Sequence, residues 1–570
     1  MSLRFSLFLL LYFSCFAPLA AKAQSGVITG RVVAEDGGGL SNLRVGIYPV
    51  YAGPRSAQGA LLTTTDEEGN FKFTDLRQRA YWIYVREARG YVQPFIPGSE
   101  GTYYRIGDHA VITMVRGGVI TGRVMTADGV PMVGAMVSAT LTRDAEGKPL
   151  RRGYGGAARA TDDRGVYRLW GLTAGTYVVS VGSNLSIRQI APYDGDTPTY
   201  YPSSTRDTAA EVAVISGGEV AGIDIRYRGD RGHVISGAVK GVGEDSQPYV
   251  VLYSAATGSY VGQSRIRPGE AANSFAVQGV GDGEYEVVAQ AYGRGDDAGS
   301  FASPPRHVTV RGADVGGVEL KLEPRASIAG KIVIEDQPEA CEAKRKFSIE
   351  EVIVSLRRDE KTSRTVYQSY GNTIAPDEKG EFMIRHIDPG RHFIRPLLPA
   401  ENWYVMSIST ATNAPAGAKS GRQAPAAGVA QSGFALKPGE KLSGLTVAIA
   451  SGAASLSGKV VAAKEGTRLP SRLRVHLTPA EAAPANDPLR YAEAIVRADG
   501  IFALSNIAPG KYWLIARAAP EDEPIDPPPM PIAWDAVERA KLRKEAEALK
   551  VEIELKPCQR VTEKVVKFAK

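Results

Sequence analysis

Apolar residues along this chain recur mainly at every second position, in short runs bounded by Gly, Pro or Asp. The stretch 118–181 shows the pattern best, because Ile120, Gly122 and Val124 share one face of a predicted strand. Three further runs follow it after turns, at 135–139, 161–169 and 172–181. Strands with one apolar and one polar face are typical of a sheet that is buried on one side. The pattern therefore predicts a small antiparallel β unit.

The opening strand of this unit recurs along the chain. Its five copies are Ile28–Val32, Ile120–Val124, Ile235–Val239, Ile328–Ile332 and Leu456–Val460. Their central glycines lie 92, 115, 93 and 128 residues apart, which exceeds the roughly 20 to 50 residues of a solenoid repeat. We therefore predict an all-β chain of tandem antiparallel β-sandwiches, with a short helix and strand near the C-terminus.

The recurring strands also place the expected domain boundaries. A signal peptide is predicted at 1–23, sandwich repeats at 24–116, 117–229, 230–323, 324–451 and 452–557, and a tail at 558–570. Within the fifth repeat, 534–550 has helical spacing, with one side formed by Trp534, Val537, Leu542, Ala546 and Leu549. The basic residues of that helix are interpreted as a solvated face; they are Arg539, Lys541, Arg543 and Lys544.

A second signature, Asp-x-x-Gly followed by alternating aromatic and aliphatic residues, marks a hairpin in most repeats. Its aspartates are Asp66, Asp162, Asp377 and Asp499. Asp can accept hydrogen bonds from its own turn and Gly can adopt positive φ, so we interpret these residues as turn formers. The alternative of calcium ligands needs several converging oxygens, which this spacing alone does not supply.

A closing strand follows a tight Pro-Gly or Gly turn in the later repeats, as at 389–393 and 509–515. His392 replaces the tyrosine of this strand, and we interpret it as a packed core residue. The connectors then end in one more strand, at 220–225, 315–320 and 442–447. Each such strand is expected to complete its own sandwich before the chain enters the next.

The N-terminus has the features of a secretory signal. Arg4 precedes the apolar region Phe5–Ala20, and Ala21-Lys22-Ala23 forms a cleavage site with small residues. The protein is therefore expected to be exported, to the periplasm, the outer membrane or the extracellular space, with no transmembrane segment after cleavage. Cleavage leaves Cys341 and Cys558, whose pairing the sequence does not decide. The net charge of +6 over 570 residues is mild and unclustered, so nucleic acid is not an expected partner.

Several motifs in order resemble a known family. They are Gly-[Arg/Lys]-Val, the turn Pro131-Met132-Val133-Gly134-Ala135-Met136-Val137, Asp-x-x-Gly-x-[Phe/Tyr] and Pro-Gly-x-Tyr. Together they resemble the carboxypeptidase-regulatory-like domain, a transthyretin-like sandwich similar to the B-type repeat of collagen-binding adhesins and to starch-binding-like folds. The resemblance covers most of 26–520. It implies tandem transthyretin-like or Ig-like β-sandwiches in an exported bacterial protein, without catalytic residues in these domains.

Catalytic chemistry has no support in the motifs. The histidines, at 109, 233, 307, 386, 392 and 476, include none in an H-x-x-E or H-E-x-x-H arrangement. A Gly-x-Ser-x-Gly elbow is also missing from the sequence. We therefore predict no enzyme, no catalytic residue, no metal and no cofactor.

Aromatic residues are the best ligand candidates. The predicted closing strand of the first repeat puts Trp82 on the face opposite Tyr81, and Trp513 repeats the arrangement beside Tyr512. Pairs of tyrosines in connectors add Tyr103, Tyr104, Tyr200 and Tyr201. Sugars stack on exposed aromatic planes, but the interpretation we favour for the two tryptophans is that a connector strand or a neighbouring domain covers them. Two hypotheses follow: a structural or adhesive module that binds a cell-envelope or extracellular protein, and a carbohydrate-binding protein that recognises extracellular polysaccharide.

Overall fold

A computed structural model describes most of the chain. The described residues are 26–50, 60–86, 88, 90–94, 102–182, 196–243, 246–256, 258, 260–266, 273–293, 299–335, 341, 347–359, 373–398, 400–410, 433–464, 466, 468–470, 472–497, 499–520, 523 and 530–568. The predicted signal peptide and the loop predicted around 413–431 lie outside them.

Five pairs of β-sheets follow one another along the described chain, and each pair encloses its own hydrophobic core. We number them sandwich 1 to sandwich 5. Strands of sandwich 1 are β1 Gly26–Ala34, β2 Arg44–Pro49, β3 Leu61–Thr64, β4 Asn70–Leu76, β5 Ala80–Arg86, β6 Tyr91–Val92, β7 Tyr103–Arg105 and β8 His109–Arg116. Strands of sandwich 2 are β9 Gly118–Met125, β10 Met136–Arg143, β11 Pro149–Ala160, β12 Val166–Leu172, β13 Gly175–Val181, β14 Thr199–Tyr200, β15 Glu211–Val214, β16 Glu219–Val220 and β17 Ile225–Arg226.

The remaining three sandwiches complete the described chain. Sandwich 3 contains β18 His233–Lys240, β19 Ser246–Ser254, β20 Tyr260–Arg265, β21 Ser274–Val280, β22 Gly283–Gly293, β23 Ser300–Ala302, β24 Arg306–Val310, β25 Val315–Lys321 and β26 Glu323–Pro324. Sandwich 4 contains β27 Ala326–Glu335, β28 Ile353–Arg358, β29 Thr373–Ile374, β30 Glu381–Ile387, β31 Gly390–Leu397, β32 Trp403–Thr410, β33 Phe434–Leu436 and β34 Lys441–Ser451. Sandwich 5 contains β35 Ala454–Ala462, β36 Leu473–Pro479, β37 Ala492–Ile495, β38 Ile501–Ile507, β39 Gly510–Ala518, β40 Glu552–Leu555 and β41 Arg560–Phe568. Short 3₁₀ turns lie at Arg206–Thr208, Ile349–Glu351, Ala483–Asn486, Pro488–Arg490 and Ile532–Trp534.

All five sandwiches share one topology. In the first sheet the opening strand lies between the hairpin strand, which is antiparallel to it, and the connector strand, which is parallel, as in β4-β1-β8 and β38-β35-β41. In sandwiches 1 and 4 the first sheet has one more strand beyond the connector strand, β6 and β32 respectively, and the second sheet of sandwich 1 has the order β3-β2-β5-β7. The predicted all-β fold class of tandem antiparallel sandwiches is therefore confirmed. The connector strands pair with the opening strand of their own sandwich, as the sequence predicts.

The recurring glycine of the opening strand has a steric cause. A Cβ atom on Gly122 would lie 2.0 Å from the carbonyl oxygen of Ile223, and one on Gly237 would lie 1.8 Å from that of Val318. Since both carbonyls belong to the backbone around the connector strand, neither can move aside without breaking the sheet. The glycine is the only residue that allows this close approach.

The predicted turn role of the aspartates is confirmed for Asp66, Asp162 and Asp377. In each, Oδ1 accepts hydrogen bonds from the backbone N–H groups two and four residues later, at 2.7 to 3.1 Å. The bond from the Val166 N–H stabilises the charged carboxylate and lowers the pKa of Asp162. Sandwich 5 differs from the prediction, because Arg497 holds the equivalent turn position. Asp499 lies two residues further on, where it accepts from the N–H of Ile501 and pairs with Arg497.

The start of each closing strand carries a ring that hydrogen-bonds to the backbone carbonyl four residues earlier. Four of these rings are tyrosines, at 81, 177, 285 and 512, with hydroxyl-to-carbonyl distances of 2.6 to 2.9 Å. In sandwich 4 the ring is His392, whose Nε2 lies 2.8 Å from the Asp388 carbonyl oxygen. His392 is 2% exposed, which confirms its interpretation as a core residue. Burial lowers the pKa of His392 to about 4.

Sandwich 4 is expected to lose stability in acid because of His392. Its pKa in the folded state, about 4, lies below the ordinary value, so protons favour the unfolded chain. The stabilisation is complete above about pH 6.5 and is lost as the pH falls towards about 4, by at most about 3 kcal/mol. His392→Tyr installs the residue that the other sandwiches use and does not titrate in this window. The check is the melting temperature of both proteins between pH 7 and 4; parallel pH profiles would contradict the assignment.

The C-terminal helix spans Ala536–Leu549, and Asp535 caps it by accepting from the N–H groups of Val537 and Glu538. The prediction of a solvated basic face is wrong for two residues. Arg539 is buried and donates to the Ala533 carbonyl, and Arg543 donates to the carbonyls of Pro479 and Ala480. Both guanidinium groups find backbone acceptors below the helix, which sequence spacing does not reveal.

The predicted tail at 558–570 is also corrected. It contains β41, which pairs in parallel with β35 and completes the first sheet of sandwich 5. Glu563 has a φ of 59°, and the pairing register shifts beside it. This irregularity interrupts the two-residue period and hides the strand from a reading of the sequence.

Cys341 and Cys558 form a disulfide bond. Cys341 follows β27 of sandwich 4, and Cys558 precedes β41 of sandwich 5. The same junction is held by Asn506, whose Nδ2 donates to the carbonyls of Ala400 and Trp403 at 2.7 Å each. Sandwiches 4 and 5 are therefore joined by a covalent bond and by side-chain hydrogen bonds.

Sandwich 1 contacts sandwich 4, although two sandwiches separate them in sequence. Val50 and Ala80 pack against Ile353 and Ala375, with Tyr103 and Leu397 at the margin. Arg105 Nη1 lies 3.7 Å from Oε2 of the fully buried Glu351, and Arg79 pairs with Glu350. Sandwiches 1 and 4 are therefore neighbours in space although they are not neighbours in sequence.

A buried ion pair joins sandwiches 3 and 4. Nε of Arg325 lies 2.8 Å from Oδ1 of Asp388, and the two side chains are 3% and 11% exposed. The N–H of this nitrogen is not aligned as a hydrogen bond to the carboxylate, so the contact is electrostatic. Nη1 of Arg325 also donates to the Tyr292 hydroxyl at 3.2 Å.

Candidate ligand-binding face

Sandwich 1 carries an open aromatic surface on the outer side of its second sheet. In register across the strands lie Tyr48 of β2, Trp82 of β5 and Tyr103 of β7. The alternation of β5 buries Tyr81 and Ile83 and turns Trp82 outward, where it is 54% exposed. Tyr84 follows Trp82 by two residues and therefore lies on the same face.

Tyr84 is held against the sheet by its neighbours. A Cβ atom on Gly46 would lie 2.3 Å from Cζ of Tyr84, so the tyrosine ring covers the glycine. The ring stacks on Tyr48 with centroids 5.0 Å apart and planes at 11°, and the two hydroxyls are 3.2 Å apart. The hydrogen bond to Tyr48 is the main cause of the raised pKa of Tyr84. These contacts fix both rings before any ligand arrives.

The charged residues within the strands of this sheet are all basic. The four strands β2, β3, β5 and β7 contain three arginines and no aspartate or glutamate. Arg44 and Arg86 lie directly opposite each other on the outer face and are both exposed. Their positive charges act to lower the pKa of Tyr84, against the larger opposite effect of its hydrogen bond to Tyr48. The third arginine, Arg105, is paired with Glu351 at the contact with sandwich 4.

We call Arg44, Tyr48, Trp82, Tyr84 and Arg86 the aromatic face. Tyr103, at its end, packs at the contact with sandwich 4. The face can offer flat apolar rings for stacking, two phenol hydroxyls and two guanidinium groups, which is a binding chemistry rather than a catalytic one.

The other predicted aromatics lie elsewhere. Tyr104 packs against the core of sandwich 1, and burial raises its pKa. Trp513 is covered by the C-terminal helix, with Arg543 4.8 Å above its ring and Leu542 and Ala546 beside it. Tyr201 packs against the core of sandwich 2, and Tyr200 lies half-buried in β14 beside Ser180. The six candidates are therefore not brought together in one site.

Sequence analysis missed three aromatic residues on open sheet faces. Tyr48 and Tyr84 belong to the aromatic face, and Trp170 of sandwich 2 is 46% exposed with Arg159 4.8 Å from its ring centroid. The sequence could have revealed Tyr84, because it lies two residues after Trp82 in the same strand. It could not have revealed that Tyr48 lies beside Trp82, because that pairing depends on the register between two strands.

A small cavity of about 50 Å³ lies between sandwich 5 and its C-terminal helix, lined by His476, Glu493 and Leu542 among others. Nδ1 of His476 lies 3.6 Å from Oε2 of Glu493. Burial lowers the pKa of His476 to about 3 and raises the pKa of Glu493. His476 of β36 and Glu493 of β37 are directly opposite each other in the sheet, so the pair is a packed cross-strand contact. Across the described ranges, no cluster of three or more His, Cys, Asp and Glu is placed to hold a metal ion.

Comparison with known proteins gives no family. No family model matches the chain, and no curated protein matches it. Similar solved structures include the Bacillus anthracis TIE protein, with 12% identity over 53% of this chain and 51% of that protein, and a TM-score of 0.15. The minor pilin GBS52 of Streptococcus agalactiae shows 14% identity over 35% of this chain and 94% of its own, with a TM-score of 0.19. The major pilin BcpA of Bacillus cereus shows 10% identity over 53% and 99%, with a TM-score of 0.14.

Among the residues that the structure describes, no helix combines the length and the apolar character needed to cross a bilayer.

Proposed function

We propose that the protein is an exported, non-enzymatic interaction protein of the cell envelope, in which a braced set of β-sandwiches presents the aromatic face to an extracellular partner. The observation that carries the proposal is the exposed Trp82 beside the stacked Tyr48 and Tyr84. Large aromatic side chains left open on a sheet face are typical of binding surfaces rather than of folding cores.

The bracing of the sandwiches supports a structural role. Sandwich 1 contacts sandwich 4 through an apolar cluster, Arg325 and Asp388 pair at the next junction, and a disulfide joins sandwiches 4 and 5. These contacts limit how far the aromatic face can move relative to the rest of the chain. A rigid surface loses less entropy on binding than a flexible one.

Export is supported by the disulfide. Disulfide bonds persist in oxidising compartments such as the periplasm and the extracellular space. The disulfide between Cys341 and Cys558 therefore supports an exported protein. The predicted signal peptide points the same way. We further propose that the sandwiches are related to the carboxypeptidase-regulatory-like family, since the opening glycine, the Asp-x-x-Gly turn and the closing-strand ring each have a defined place in the shared topology.

The test is co-sedimentation of the purified mature protein with isolated cell envelopes. Trp82→Ala is expected to lower envelope binding at least about 10-fold, as for a central aromatic anchor. Trp170→Ala is the matched control, because Trp170 is also exposed on a sheet face. Equal envelope binding by the Trp82→Ala variant and the unchanged protein would reject the aromatic face as the site.

A further inference from the structure

We infer that the partner of the aromatic face is a protein that presents an amphipathic α-helix, which packs on Trp82 and Tyr84 as the C-terminal helix of this chain packs on sandwich 5. The inference rests on the proposed function and names the kind of partner that the face binds.

Sandwich 5 has an equivalent face in the same register. In both second sheets the closing-strand tyrosine lies opposite a proline of the neighbouring strand. Counted from that pair, Trp82 of sandwich 1 corresponds to Trp513 of sandwich 5, and Tyr84 corresponds to Ile515. Because side chains alternate along a strand, both pairs lie on the outer faces of their sheets. Sandwich 5 therefore shows what kind of element such a face accommodates.

A helix covers the face of sandwich 5. The C-terminal helix lies against β36 and β39. Leu542 and Ala546, which are one helical turn apart, pack against Ile515, and Trp513 lies at the edge of this cluster. Cζ of Arg543 lies 4.8 Å from the centroid of the Trp513 ring. Residues three or four apart form one side of a helix, so this face binds an apolar helix side with a stacked guanidinium group beside it.

The corresponding residue of sandwich 4 is covered by the same segment of the chain. It is Phe393, which is 5% exposed and stacks on Trp534 of the 3₁₀ turn before the helix, with centroids 5.1 Å apart and planes at 4°. Sandwiches 2 and 3 have Val178 and Glu286 at this position. Two of the three aromatic residues at the position therefore pack against a helical segment, whereas Trp82 is 54% exposed. We assign to Trp82 the same contact with a helix of another protein.

The shape of the aromatic face also suits a helix. Leu62 of β3 lies opposite Gly46, which lies opposite Tyr84, and Leu62 is 42% exposed. The Tyr84 ring lies over Gly46, so the surface from β5 to β3 is low and apolar. Its width of two strand spacings, roughly 10 Å, is about the diameter of a helix with its side chains. An extended peptide gains affinity from backbone hydrogen bonds at a sheet edge, which the face of a sheet does not offer.

The experiment measures binding of a helical peptide to the full mature protein by fluorescence anisotropy. The probe is a labelled peptide of residues 532–550, because this sequence packs on the equivalent face of sandwich 5. Isolated helices of this length are marginal in water, so a lactam bridge joins Lys544 to a glutamate introduced by Ala540→Glu, both at exposed positions. The control peptide carries Leu542→Glu and Ala546→Glu, which keep the helix and remove its apolar side. We expect the probe to bind and the control peptide to bind at least about 10-fold more weakly.

Variants of the protein assign the binding to the aromatic face. Trp82→Ala is expected to lower the affinity for the probe at least about 10-fold. Leu62→Ser should lower it about 5-fold, because leucine contributes less apolar area than tryptophan. Trp170→Ala and Ile215→Ser are the matched controls in sandwich 2 and should leave the affinity unchanged. All four side chains are exposed, so the melting temperature should stay the same in every variant.

The outcomes separate this inference from the proposed function. Equal binding of the two peptides, or probe binding that does not depend on Trp82, would overturn the helical partner. Self-association of the protein that is lost in Trp82→Ala, measured by sedimentation, would also overturn it and make a second copy of this chain the occupant. If the probe does not bind but envelope binding still depends on Trp82, the helix is wrong and the interaction site stands. If envelope binding is also independent of Trp82, the proposed site fails as well.

Discussion

Replacing Gly237 by alanine is expected to disrupt sandwich 3. The new Cβ would lie 1.8 Å from the carbonyl oxygen of Val318 and 2.6 Å from its carbonyl carbon. Both atoms belong to β25, which pairs in parallel with β18. The clash can be relieved only by separating the two strands, which exposes the core residues Leu320 and Val239. We expect a loss of about 4 kcal/mol, in the range of the most damaging single substitutions.

The measurement is hydrogen exchange of the full chain by mass spectrometry. Amides of β18 and β25 should lose protection from exchange in the Gly237→Ala variant, whereas the amides of sandwich 5 should stay as protected as in the unchanged protein. Gly316→Ala is the matched control in the same sandwich. Its Cβ would approach nothing closer than Ser236 Oγ at 3.7 Å, so its protection should match that of the unchanged protein. Unaltered protection of β18 in Gly237→Ala would show that the strands are not this close.

Replacing Asp388 by alanine is expected to loosen the junction between sandwiches 3 and 4. The side chain of Arg325 is 3% exposed, so removing its partner leaves a buried charge without a counter-ion. Such a change costs about 3 to 5 kcal/mol. The exposed pair Arg168–Glu219 is the control, with side chains 53% and 48% exposed. Glu219→Ala should change stability by less than about 1 kcal/mol.

A double-mutant cycle decides whether the buried pair is responsible. Arg325→Ala combined with Asp388→Ala should be less damaging than the sum of the two single changes, because the double variant leaves no orphan charge. Thermal unfolding and the rate of proteolysis between the two sandwiches are the measurements. Additive effects would mean that the two groups do not interact in the folded protein.

The local pattern predicts only part of the aromatic face, and the tertiary structure decides the rest. The alternation of β5 placed Trp82 opposite Tyr81 without any coordinates. The same alternation could have added Tyr84. It could not have shown that Tyr48 stacks on Tyr84, that Gly46 lies under the ring, or that Arg44 faces Arg86. Those contacts depend on the register between strands that are far apart in sequence.

Trp513 is a case in which the strand pattern alone leaves an aromatic residue open to a ligand and the tertiary structure covers it. Its position in β39 corresponds to that of Trp82 in β5, so sequence alone makes the two equivalent. The C-terminal helix covers Trp513, whereas among the described residues no comparable element covers Trp82. Burial by a segment inserted later in the chain is a tertiary event, and the local pattern of β39 contains no trace of it.

By itself, the sequence determined the strands, the hairpin turns and the five-fold recurrence, because two-residue periodicity, Asp side chains and glycine act within a few residues of each other. Only the tertiary structure decided the contact of sandwich 1 with sandwich 4, the pairing of Cys341 with Cys558, and the place of β41. Each of these joins residues that are far apart along the chain, where the outcome depends on which surfaces fit together rather than on any local preference.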